Sequence, residues 1–220
     1  MAKHTCTLLC VLLALTLCAS TAYALPSFRG YTGLLIIPTA DALNKGDFNV
    51  GLFSEDVSDT INDYVANYGL ADGLEIGINR RSPVDSDDRN TLFNAKYRFM
   101  PETNQRPAVA AGIIDLTDEE EVTAYIVASK AFSTPLGTYR GEIINPRIHV
   151  GFGAGEFSSL FAGVSAFLGN RIQVIGEWDS DNFHAGARFR VTPSFAVHAG
   201  FFDIGDGSTF GLGGSFGISY

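Results

Sequence analysis

Phe210 to Tyr220 reads FGLGGSFGISY. Phe210, Leu212, Phe216, Ile218 and Tyr220 share one parity; Gly211, Gly213, Ser215, Gly217 and Ser219 share the other. Period-two alternation is the signature of a β-strand with one bulky apolar face and one small polar face. The same design recurs upstream. Phe93, Ala95, Tyr97 and Phe99 alternate with Asn94, Lys96 and Arg98. Phe183, Ala185, Ala187 and Phe189 oppose His184, Gly186, Arg188 and Arg190, and Phe195, Val197, Ala199 and Phe201 oppose His198 and Gly200.

From Gly46 onward the chain divides into twelve such segments: Gly46–Ser54, Thr60–Leu70, Gly73–Arg81, Thr91–Phe99, Pro107–Asp115, Val122–Phe132, Arg140–Phe152, Phe157–Leu168, Arg171–Asp179, Asn182–Val191, Ser194–Asp203 and Ser208–Tyr220. Each is long enough for a tilted membrane strand, which needs roughly 9–11 residues. The segment Val122–Phe132 is ambiguous, because both of its parities hold apolar residues. Periodicity alone does not say which face is outside. A soluble sandwich turns its apolar face inward; a membrane barrel turns it outward to lipid and keeps polar groups in the lumen.

Three features favour the membrane. Met1 to Ala24 reads as a secretory signal peptide: Lys3 and His4 precede an apolar run, Leu8 to Leu17, and Ala22-Tyr23-Ala24 is an A-x-A cleavage site. The three cysteines, Cys6, Cys10 and Cys18, lie inside that leader, so an exported mature chain would have no disulfide to hold it. Leu9 and Leu17 precede Cys10 and Cys18 where a lipobox wants a small residue, which argues against lipidation. Finally, a strand ending the chain on an aromatic resembles the closing strand of bacterial outer-membrane β-barrels, the strand their assembly machinery recognises. The expected fold is therefore all-β: a single antiparallel up-and-down transmembrane barrel of about 12 strands in the cell outer membrane. The net charge of −9 disfavours a nucleic-acid partner.

The connections test the strand count. Numbered alternately, one set holds SEDVSD (Ser54–Asp59), SPVDSDDRN (Ser82–Asn90), LTDEEE (Leu116–Glu121), Gly153–Glu156, DSDN (Asp179–Asn182) and Ile204–Gly207. The other set is far poorer in acid. An even-stranded barrel with both termini on one side places every acidic connection on the opposite side. Leu25 to Lys45 stands apart. It alternates poorly, carries the run Leu34 to Ile37 before Pro38, and offers Thr39 as a cap for one helical turn. It is expected at the periplasmic rim or inside the barrel as a plug.

Gly30-Tyr31-Thr32-Gly33-Leu34-Leu35-Ile36-Ile37-Pro38-Thr39-Ala40, followed by Gly46-Asp47-Phe48, resembles the opening of the YjbH-like outer-membrane proteins. So do Tyr125 to Lys130, Gly176 to Asp179, and Asn182 with Gly186 to Phe189. The resemblance implies an outer-membrane barrel in a setting of exopolysaccharide production. Its expected partners are outer-membrane lipid, the barrel-assembly machinery and a polysaccharide or its export proteins. It supplies no catalytic residues, and this chain has room for one barrel where larger members carry more.

By parity, Glu75, Lys96, Arg98, Arg147, Arg171, Glu177, Asp179, Arg188 and Arg190 face the lumen. They read either as ion pairs filling a narrow barrel or as a charged constriction for an anion or sugar acid, since guanidinium forks match carboxylates. His149, His184 and His198 are inward too. Ser165 and His149 could be paired as in a lipid-acting hydrolase, but no motif joins them, and the reading is of a protein that is not an enzyme. No cofactor motif or zinc spacing is present. Asp85 to Asp88 and Asp118 to Glu121 read as solvated turns rather than Ca²⁺ loops. A small passive outer-membrane pore for charged solutes or sugars is the alternative function.

Overall fold

In the computed structural model, residues 24–56, 60–84, 89–132, 135–139, 141–169, 171–205 and 207–218 are described. The leader read over Met1 to Ala24 lies outside them save for Ala24, as do Asp85 to Asp88 and Tyr220. The strands in chain order are β1 (Phe48–Asp56), β2 (Ile61–Ala71), β3 (Leu74–Pro83), β4 (Asn90–Met100), β5 (Ala108–Ile114), β6 (Thr123–Ala131), β7 (Gly137–Tyr139), β8 (Glu142–Ile144), β9 (Pro146–Ala154), β10 (Leu160–Leu168), β11 (Ile172–Trp178), β12 (Phe183–Arg190), β13 (Phe195–Phe202) and β14 (Thr209–Ile218).

Twelve of these strands close into one antiparallel barrel in sequence order, with β1 sealed against β14. The seam runs in continuous register from Phe48↔Ile218 to Asp56↔Phe210. Closure satisfies every strand's backbone groups and leaves no edge, which is what a barrel in lipid requires.

The twelve expected segments each overlap one barrel strand, with ends that differ by a residue or two in several, and one of them needs a larger correction. Arg140–Phe152 is not a single strand. Its first part forms β8, which pairs with β7 as a separate two-stranded hairpin, and the barrel strand β9 starts at Pro146. Proline lacks an N–H and suits a strand's first position, so it separates the two. The hairpin lies in the connection between β6 and β9 and leaves the barrel's alternation of direction intact.

The faces are inverted relative to a soluble sandwich. Phe93 (46 % exposed), Phe183 (63 %) and Phe195 (40 %) point outward. On β14, Phe210 and Leu212 are exposed on the same outer face as Phe216 and Ile218. On β6 the ambiguity resolves with Thr123, Tyr125, Val127 and Ser129 buried and Ala124 and Ile126 exposed. Inside are Asn49, Asp63, Asn67, Glu75, Asn79, Asn94, Lys96, His149, Glu177 and Arg188. Because neighbouring strands are antiparallel, the six acidic connections share one rim. Residues 24–47 enter β1 from the opposite rim, here called the entry rim.

Candidate functional site

The lumen is occupied by the chain's own residues 25–43. Phe28, Tyr31, Leu34, Leu35, Ile36, Ile37, Ala40 and Leu43 are buried within the barrel. The segment is built from tight turns. Pro26 bridges Thr32 and Gly33 bridges Pro38. The Leu34 N–H donates to the Ile37 carbonyl at 2.9 Å, and the Tyr31 hydroxyl to the Ile36 carbonyl at 2.7 Å. Gly30 has φ +96°, and a Cβ there would stand 2.9 Å from the Asn79 Cβ, so this turn against the wall requires glycine. No helical turn follows Thr39, contrary to the capping reading; Thr39 and Asp41 instead bond to each other across 3.4 Å.

Both ends of the segment meet the entry rim. The Asn49 amide donates to the Ala24 carbonyl at 3.0 Å, and the Gly46 N–H to the Gly69 carbonyl at 2.9 Å. Its middle reaches toward the acidic rim, where Arg29 pairs with Glu55 at 2.6 Å and approaches Glu156 of the β9–β10 connection at 3.7 Å. That connection also turns inward, with Phe157 fully buried against Phe161 at a centroid distance of 4.7 Å.

Charged wall residues hold the segment mainly by its backbone. Glu75 accepts from the Thr32 N–H (2.9 Å), the Thr32 hydroxyl (2.6 Å) and the Leu43 N–H (3.1 Å). Lys96 donates to the Thr32 carbonyl at 2.6 Å and lies 3.6 Å from Glu75. Glu177 accepts from the adjacent N–H groups of Leu35 (3.0 Å) and Ile36 (2.5 Å). Arg188 donates to the carbonyls of Pro26 and Leu34. Arg147 forks onto the Asp41 carboxylate at 2.7 and 3.2 Å and reaches Glu102 at 2.9 Å. The Ser129 hydroxyl accepts from the Ala40 N–H at 2.9 Å. All but the Ser129 bond are charge-assisted, and those of Glu75, Lys96, Glu177 and Arg188 lie in a water-poor interior where each is stronger than its exposed counterpart. Burial works to raise the Asp41 pKa, but Arg147 outweighs it and holds that carboxyl below the usual range.

Of the nine charged residues read as lumenal, Glu75, Lys96, Arg147, Glu177 and Arg188 thus converge on the segment. Arg190 lies over the Phe167 ring, 4.9 Å from its centroid. Arg98 reaches Asn44 at the entry rim, and Arg171 is exposed at that mouth just before β11. Asp179 lies beyond the end of β11 at the acidic rim, where His184 bonds it at 2.9 Å. Burial there favours the protonated form of Asp179, but the bonds from His184 and the Asn182 and Asp181 N–H groups win, and its pKa is lowered.

His149 is held between Ser129 (2.8 Å) and Ser165 (3.3 Å), and His198 bonds Ser215 at 2.7 Å. Sequence reasoning missed Arg29, Asp41, Ser129 and Glu55. Glu55 shares the inward parity of Asn49 and Phe53, but ending the first strand at Ser54 left it in the loop. Among the described residues no cluster of three metal-ligating side chains occurs.

Comparison with known proteins agrees with this architecture. Residues 27–190 match the family model YjbH, described as "Exopolysaccharide biosynthesis protein YbjH". No curated protein matches the sequence. Among solved structures, a KdgM porin superposes with TM-score 0.60 at 8% identity, covering 78% of this chain and 99% of that one. The N-terminal β-barrel domain of Pseudomonas aeruginosa OprF covers 79% of this chain and 98% of that one at 15% identity, with a TM-score of only 0.26. The KdgM likeness concerns the fold alone. The family match spans most of the chain, and the chain belongs to the YjbH family.

Proposed function

We propose that this YjbH-family barrel is a non-catalytic component of exopolysaccharide production or export in the cell outer membrane, with its lumen closed at rest. The observation that carries the reading is the packing of residues 25–43 through the lumen of a barrel from this family. An apolar exterior suits lipid, and a closed barrel suits the outer membrane of a cell that exports polymer. His149 and its two serines are satisfied within the lumen wall, which weighs against a lipid-acting hydrolase.

The passive-pore reading draws support from the likeness to a porin fold. It needs an open path, and fully buried Phe28, Leu35 and Ile37 occupy that path. Two measurements test the proposal. The purified full-length protein in planar bilayers should show a closed baseline, and cells lacking it should secrete less polymer. Steady open-channel current would favour the passive pore; unchanged polymer yield would remove the export role.

A further inference from the structure

The segment and the wall around it match only in part. The segment is greasy: Phe28, Leu34, Leu35, Ile36 and Ile37 are all buried. The wall is mixed: Phe53, Val65, Tyr125 and Phe202 pack with the segment's apolar residues, and Glu75, Lys96, Glu177 and Arg188 are buried against it as well. A permanent core gains little from buried charge, since an apolar wall of equal volume commonly serves stability as well or better. A wall that must also meet water, or a polar solute, needs those groups.

The connections permit departure. Both ends of the segment lie at the entry rim, so among the described residues it threads through no loop. It joins β1 through Gly46, at φ +88° with nothing within 4 Å of where a side chain would stand, beside exposed Asn44 and Lys45. The turn is held by the Gly46 N–H on the Gly69 carbonyl and the Lys45 N–H on Asp72, so departure breaks those bonds and pivots at Gly46.

The oxygens the segment presents define what would take its place. Lys96 holds the Thr32 carbonyl, Arg188 the Pro26 and Leu34 carbonyls, and Arg147 the Asp41 carboxylate. The segment's oxygens thus line up on three cations of β4, β9 and β12, with Ser129 beside them. On the acidic-rim side the wall carries Glu55, Asp63 and Glu177, with Arg81 beside Asp63 and the segment's own Arg29 on Glu55.

We infer that residues 26–43 are a releasable stopper occupying, in the manner of a ligand, a site on Lys96, Arg147 and Arg188 that takes a carboxylate-bearing sugar chain from the entry rim. The carboxylates replace Asp41 on the guanidinium fork, and the hydroxyls replace the segment's carbonyls and N–H groups on Lys96, Arg188, Glu75 and Glu177. The inference takes the closed resting barrel as its starting point.

Two experiments test it. A variant lacking residues 27–43 should conduct in planar bilayers. Glucuronate oligomers added on the entry-rim side should block that current, neutral glucose oligomers should not, and R147Q with R188Q should relieve the block. A folded but silent variant, equal block by neutral oligomers, or block untouched by the arginine changes would overturn the inference. Where the deletion does not fold, the full chain decides. Trypsin cleavage after half-buried Arg29, read by mass spectrometry, should rise when glucuronate oligomers are added. It should be suppressed by oxidising an A40C/S129C pair and return on reduction. Cleavage indifferent to the oligomers or to the disulfide would overturn it equally, while leaving a closed full-length baseline, and with it the resting-state reading, standing.

Discussion

The two sides of the lumen wall treat the same segment in different ways. Strands β2 to β4 reach into it with long polar side chains: Asp63, Asn67, Glu75, Asn79, Asn94 and Lys96. Strands β10 to β13 give Glu177 and Arg188 to it and elsewhere withdraw. A side chain at Gly163 would start 2.7 Å from the Leu34 Cδ1 and 2.8 Å from the Ile37 Cδ1; one at Gly200 would start 3.1 Å from the Leu35 Cδ1. Both sides hold the segment's backbone by hydrogen bonds, Glu75 and Lys96 from β3 and β4 and Glu177 and Arg188 from β11 and β12. The glycines of the second side also give its volume somewhere to go. The lesson is that filling a barrel of this girth takes two solutions at once. Polar groups are satisfied where the chain runs close, and side chains are deleted where its apolar residues press.

The comparison breaks most severely at Glu75. Replacing it with alanine strands the N–H groups of Thr32 and Leu43 and leaves Lys96 buried without its carboxylate. Losing one partner of a buried ion pair costs about 3–5 kcal/mol. The variant should show the segment undocked by limited proteolysis while the barrel's strand signal in circular dichroism persists. A Glu75→Ala protein as resistant as the parent would mean the polar side does not hold the segment.

The glycine side is tested by Gly163→Leu. Overpacking a filled core costs about 1–3 kcal/mol. The change should lower the protein's thermal midpoint, and trimming Leu34 to alanine in the same chain should recover part of the loss. Failure of that rescue would separate Gly163 from the segment it faces.

Acid should loosen the entry-rim end before the rest. The Asp41 carboxyl is held below its ordinary pKa, with Arg147 outweighing burial. A depressed carboxylate contributes stability that is fully present above the unfolded pKa, about 4 for Asp, and is lost as pH falls through the lower folded value. Protease sensitivity of the segment should therefore rise below about pH 4 in the native protein, and Asp41→Asn should show that sensitivity already at neutral pH. A native profile flat into the acid range would remove this ion pair from the account.

The smallest effect belongs to the acidic rim. Arg81 and Glu120 pair at 3.0 Å where Glu120 is partly solvated. An exposed pair of this kind is worth about 0–1 kcal/mol. Glu120→Ala should leave the thermal midpoint almost unmoved and make what difference remains vanish in high salt.

Much of this was legible from local pattern. Alternation located all twelve barrel strands, and the inverted faces of Phe93, Phe183 and Phe195 follow once the apolar side is assigned to lipid. Boundaries were less so. Glu55 fell outside the first strand because it begins an acidic run, and β8 was joined to β9 because the Arg140–Phe152 stretch carries no interruption until Pro146 is seen as a strand start. The inward charges could be named by parity, but parity is blind to distance along the axis. Glu75 and Arg171 looked alike in sequence; one is buried against Thr32 and the other is exposed at the mouth.

What the residues determine by themselves is the sheet: its strand number, its faces and the rim that carries the acid. These depend on neighbours one or two positions apart, which any reader of the chain can see. What only the tertiary structure decided is the fate of Leu25 to Lys45. Its partners Glu75, Lys96, Arg147, Glu177 and Arg188 lie on five different strands, and Leu35 is separated from Glu177 by 142 residues. Those side chains converge only after β1 meets β14, so the site is a property of closure rather than of any stretch of sequence.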